Sequence, residues 1–190
     1  MSKSLKEKRR QKLAHERRRR RLIIGTIAAV VVIGLGALIY ARFLQSIPGL
    51  QEFPNQERGH AENVSIPDEG LPPVGGVHNP RWLNCGVYRE PVDSAMAVHS
   101  LEHGAIWIAY HPDLPEEQIA ELEAYADSYT LVAPYPGLIT DVVATAWGAQ
   151  VQYEGAPDDS LDQFIARYQG QGPEPGATCS GGVGSPVSAG

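Results

Sequence analysis

Residues 22–40 form a run of nineteen without a charged side chain, and nothing else in the chain restricts its architecture as strongly. At about 1.5 Å per residue, a helix of that length crosses most of a hydrocarbon layer roughly 30 Å thick, and a few flanking residues complete the crossing. A secretory signal peptide would carry an apolar core of about 7–15 residues followed by a small-residue cleavage site. Here the run continues into Arg42, Phe43 and Leu44. The expectation is an uncleaved transmembrane signal anchor over residues 22–44, held in the lipid bilayer.

Charge gives the orientation. Residues 1–21 hold eleven Lys or Arg side chains, Arg17, Arg18, Arg19, Arg20 and Arg21 among them, against Glu7 and Glu16. Clusters of this sign resist translocation, so the basic tail is expected on the cytoplasmic side of the cell membrane and everything after the span outside. Beyond Arg21 only five basic residues remain against twenty acidic ones, a formal charge of −15 that the whole-chain value of −6 conceals. An arginine run attracts phosphates in general. Placed directly before an apolar span, it fixes topology and binds anionic lipid headgroups, each charge contributing about 1 kcal/mol near the surface. A nucleic-acid partner is not expected.

Residues 45–70 are polar and interrupted by Pro48, Pro54 and Pro67, with no sustained period of 2 or 3.6. They read as a stalk that joins the domain edge near residues 64–66. Residues 71–170 are dense in apolar and aromatic side chains; about 100 residues suffice for one core and not for two. Residues 171–190, rich in Gly, Pro and Ser, read as a flexible tail.

Inside the domain, residues 105–110, 130–133 and 141–147 are β-like apolar runs. Residues 115–128 read as a helix, with cap chemistry from Asp113 and Glu116 and a stripe of Ile119, Leu122 and Tyr125 or Ala126. Residues 160–169 read as a second, with a capping box from Ser160 and Gln163 and a stop at Gly170. Strands interleaved with about two helices predict a single α+β domain with a mainly antiparallel sheet.

The chemistry concentrates in His99-Ser100-Leu101-Glu102-His103-Gly104. On a helix, His99 and His103 share one face about 6 Å apart, where two imidazole nitrogens can grip one metal ion with the Glu102 carboxylate beside it. The segment also formally matches the His-x-x-Glu-His signature of inverted zinc proteases. Gly104 and the β-rich run from Ala105 follow at once, however, leaving little room for the secure helix that signature needs, and proteolysis is not expected. The competing reading has these histidines simply hydrogen-bonded within a packed domain.

Four motifs now stand in order: Pro72-Pro73-Val74-Gly75-Gly76-Val77-His78-Asn79-Pro80, Asn84-Cys85-Gly86-Val87-Tyr88, the segment from Val98 to Gly104, and Tyr110-His111-Pro112. Together they resemble the domain of unknown function 3105 family over about residues 59–168. The resemblance implies a mainly bacterial, often membrane-anchored protein, and no reaction. Asn79 stands where an aromatic residue is usual after His78, and Val74 where a small polar one is.

His78, in a loop framed by Pro and Gly, is the best third donor for the His99–His103 pair. Three imidazoles suit zinc or copper. Cys85 or Met96 would add a soft sulfur ligand and tilt the choice toward copper; equally, Cys85 is a disulfide candidate and Met96 a core filler. Cys85 and Cys179 are the only cysteines, and an exported pair tends to oxidise. His60, in the stalk, and His111, before Pro112, are weaker ligands. The alternative function is a non-catalytic structural or interaction module with a protein partner, in which aromatic residues such as Trp82, Trp107 and Trp147 partly line a groove and the loop Pro134-Tyr135-Pro136-Gly137 presents an exposed ring.

Overall fold

The computed structural model describes residues 2–43, 46–67 and 69–187. Two compact units divide the chain, residues 1–45 and Ser46–Gly190. The first is helix α1, Ser2–Phe43. Its stretch His15–Tyr40 is long and apolar enough to cross a membrane. From Leu22 to Tyr40 it is exposed all round. The end expected for the span at Leu44 and the start expected for the stalk at Gln45 lie outside the described residues, as do the last three residues of the tail.

The second unit is an α+β domain built on a six-stranded sheet. In chain order it holds β1 (Gln51–Glu52), β2 (Arg58–His60), β3 (Gly76–His78), β4 (Gly86–Val87), α2 (Ser94–Glu102), β5 (Ile106–Tyr110), α3 (Glu116–Glu123), β6 (Thr130–Pro134), β7 (Val142–Ala146), β8 (Ala149–Tyr153) and α4 (Ser160–Tyr168). The main sheet runs β1-β8-β7-β5-β6-β4, while β2 and β3 form a separate pair. Three pairings in the main sheet are antiparallel, and β5–β6 and β6–β4 are parallel. The parallel β5–β6 pair requires a crossover, and α3 supplies it.

The central strand explains the apolar run in the sequence. Ile106, Ile108 and Tyr110 point into a core shared with Leu122 of α3 and Leu161 and Phe164 of α4. Trp107 and Ala109 point into a second core with Ala97 and Leu101 of α2. Both faces are covered, so the strand is buried at every position and alternation disappears.

Among the described residues three helices stand in this domain where about two are expected, and the additional one is α2. Asp93 starts it, its Oδ1 accepting the Met96 N–H at 3.0 Å. Helix α3 ends at Glu123, short of residue 128, because Asp127 closes the turn by accepting the Tyr129 N–H at 2.8 Å. Its start has no side-chain cap. Nor does the expected Ser160–Gln163 box form: Asp158 Oδ1 takes the Ser160 N–H at 2.9 Å instead.

The stalk and tail behave differently from their composition. Ile47 is buried in the first core, β1 pairs with β8, and β2 pairs with β3. The domain edge is therefore joined at residues 51–52 and 58–60, and residues 64–66 lie in no strand. After α4 the chain forms a strap along the face that carries α2. Val183 bridges Leu83, Val187 bridges Val87, and a disulfide joins Cys179 to Cys85. These ties overcome a composition that favours disorder.

Candidate metal centre

Strands β2 and β3 lie parallel with His60 directly opposite His78. Next to them, the Asn79 N–H donates to Ala95 O at 3.2 Å, fixing the end of β3 against α2. Helical spacing places His99 and Glu102 three residues apart on α2, and His103 caps its end. The rings form a continuous cluster. Centroids of His60, His78 and His99 are 4.6, 4.8 and 4.9 Å apart, and His103 follows at 4.7 Å from His99. Trp82 packs on His99 and His103, and Trp147 stands edge-on to His78.

Glu102 is the hub. Its side chain is 2% exposed; Oε2 lies 3.0 Å from His78 Nε2 and 3.4 Å from His60 Nε2, and Oε1 accepts from Arg58 Nε at 3.3 Å. Three imidazoles are oriented from behind. The Nδ1 of His78 meets Gly76 O at 2.8 Å, that of His99 meets Asn79 O at 2.7 Å, and that of His103 meets Thr178 O at 2.8 Å. A carbonyl only accepts, so Nδ1 carries a proton in each, and in the neutral form of the ring Nε2 is the atom with the lone pair. Burial pushes the His99 pKa down; the Asn79 carbonyl draws it up, and the neighbouring His103, His78 and His60 push it down again. The neutral, coordinating form is favoured.

Among the described residues two overlapping donor sets result. One is His60, His78, His99 and Glu102; the other is His99, His103 and Glu174, with ligand atoms in each set within 4.8 Å of one another. Glu174 reaches the second set from the strap, its Oε2 3.5 Å from His103 Nε2. Close backbone approach brings it there. A Cβ on Gly172 would collide with Glu102 O and Gly104 N, and one on Gly104 would come within 2.8 Å of Gly170 Cα. The glycine after His103 is thus the point where the strap crosses the helix end.

Of the residues singled out in the sequence, His78, His99 and His103 are brought together. Cys85 is not available as a thiolate, because its sulfur is bonded to Cys179. Met96 is half-buried and packs with the second core. His60 is a member of the cluster although it lay in the presumed stalk, and Glu174 belongs to the presumed tail; pairing of β2 with β3 and the disulfide place them. The one sequence signal for either was cysteine pairing, which would pin the tail. His111 stands apart, 3.8 Å from the Asp113 carboxylate. Tyr135 is buried, its hydroxyl donating to Leu71 O at 3.3 Å, so the 134–137 loop does not offer its ring to solvent.

A family model described as "Protein of unknown function (DUF3105)" matches residues 60–181. The chain belongs to this family. The DUF3105 match opens on His60 and closes beyond Cys179, so it takes in every side chain of both donor sets and both halves of the disulfide. No curated protein and no solved structure matches the chain.

Proposed function

We propose that this DUF3105 protein is a membrane-anchored extracytoplasmic domain that binds one transition-metal ion, zinc or Cu2+, through His60, His78, His99 and Glu102. The observation that carries the reading is the tautomer shared by His78 and His99. Buried imidazoles whose Nδ1–H groups are tied to backbone carbonyls present Nε2 as a preset ligand, the outer-shell arrangement common to metal-binding histidines. Spacing fits as well: 3.0 and 3.4 Å from Glu102 to His78 and His60 are close to the ~3.3 Å ligand–ligand edge of a tetrahedron with ~2.0–2.1 Å bonds. With Cys85 oxidised, the donors are borderline nitrogens and a hard oxygen, which suit Zn2+ or Cu2+ better than Cu+.

The membrane part of the reading rests on the apolar length of α1 and the basic residues before it. A C-terminal reporter active only outside the cytoplasm should be active on the full chain; activity of a cytoplasm-only reporter at that end would refute the orientation. For the site, electron paramagnetic resonance of the Cu2+-loaded chain should show three imidazole nitrogens and no sulfur. A spectrum of exposed copper without coupled imidazoles would reject it.

A second reading keeps the histidines structural. The same Nδ1 bonds join β3 to α2 and α2 to the strap, which would hold the DUF3105 domain together as an interaction module at the outer membrane face. In that role the Nε2 atoms of His78 and His60 serve as ion-pair partners of Glu102, and that of His103 as a partner of Glu174.

A further inference from the structure

We infer that His103 and Glu174 form the uptake port of the metal site: an ion is caught first by Glu174, His103 and His99, then handed on His99 to His60, His78 and Glu102. This rests on the reading of the inner group as a metal site. His99 belongs to both donor sets, yet its Nδ1 is committed to Asn79 O, so a single Nε2 serves both. The two sets are therefore alternative positions for one ion, with His99 as the pivot between them.

Charge gives the direction. Both sets reach solvent, the outer at Glu174, 40% exposed, and the inner at His60, 42% exposed, while His103 is 6% exposed and Glu102 and His78 are 2% and 0% exposed. At His60, however, Arg58 stands with its side chain 55% exposed and its guanidinium bonded to Glu102. A cation is repelled at that edge and attracted at the other. The outer set supplies two imidazoles and one carboxylate, the inner set three imidazoles and one carboxylate, so the ion comes to rest inside. The hand-over is ligand exchange at constant oxidation state: bonds to Glu174 and His103 break as bonds to His78, His60 and Glu102 form. The strap holds the port in place through Glu174 N–H to Glu102 O at 3.1 Å and through the disulfide.

A port and a resting ligand differ kinetically. A port changes the on-rate and the off-rate by the same factor and leaves their ratio alone, whereas a resting ligand changes the ratio. The test is stopped-flow Cu2+ binding to the full chain in detergent, followed by tryptophan emission, since the Trp82 ring lies 4.9 Å from that of His103. Glu174→Gln removes the anion and keeps the backbone bond. Its kon and koff should both fall about tenfold, the size of an electrostatic steering effect, with Kd unchanged and one ion per chain. His103→Asn should give the same signature, and His60→Ala should instead weaken Kd through koff. The port is overturned if Glu174→Gln leaves both rates as they were, if it weakens Kd with kon constant, or if the wild-type chain holds two tight ions. A wild-type chain that takes up no Cu2+ overturns the inner site with it.

Discussion

His78 Nε2 and Glu102 Oε2 face each other across 3.0 Å in the interior of the domain, and neither atom completes a hydrogen bond. With the His78 ring neutral both atoms are acceptors, and a buried polar atom left without a hydrogen bond typically costs about 1–3 kcal/mol, more when charged. An ion between the two would satisfy both. Zinc should therefore stabilise the folded chain, by about 2.7 kcal/mol at a hundredfold excess over Kd, and calorimetry should show a rise in Tm that Glu102→Gln loses. Equal melting of the wild-type chain with and without zinc would speak against the arrangement.

The Cys85–Cys179 bond closes a loop with a sequence separation of 94. Loops of that length give a chain-entropy stabilisation of about 4–5 kcal/mol, with measured effects commonly nearer 2–4 kcal/mol. A Cys85→Ala/Cys179→Ala chain should unfold at lower urea and exchange its amide hydrogens rapidly over residues 171–187. Retained protection there would show that the strap is held by its backbone bonds and not by the sulfur bridge.

Three of the six strands of the main sheet, β5, β6 and β7, were legible in the sequence because their apolar runs are long and unbroken; each became a strand within a residue or two of its expected place. Helix α2 was hidden for the opposite reason. Its residues are buried at nearly every position, so no polar face marks a helical period. Tertiary ties account for what composition misjudged at both ends. His60 acquires its place only through pairing with His78, and Glu174 only through the strap. The part of the site carried by local spacing, His99 with Glu102 and His103, could be read, as could His78 from its loop framed by Pro and Gly; His60, ranked as a weaker ligand, and Glu174, missed, depend on contacts between distant segments.

Alkaline stability should follow two phenols. Burial pushes the Tyr153 pKa up to about 12, against a bond from Ser160 that lowers it, and burial followed by a hydrogen bond to Glu52 raises that of Tyr168 to about 12. Between pH 10 and 12 the unfolded chain loses these protons while the folded chain keeps them. The unfolded state then binds fewer protons, and stability present below pH 10 is lost as pH rises through that window. Tyr153→Phe should flatten the decline in urea midpoint over this range; a decline as steep as in the wild type would assign it to other groups.

The measurement closest to the central claim is the metal content of the full chain, purified without an affinity histidine tag and dialysed against a weak chelator, beside a His78→Ala/His99→Ala variant. One equivalent of zinc or copper in the wild type, lost in a variant that still folds, is the result expected. A folded wild-type chain that carries no metal and takes up none when zinc or Cu2+ is added would contradict the account, and would leave the histidines as ties between β3, α2 and the strap.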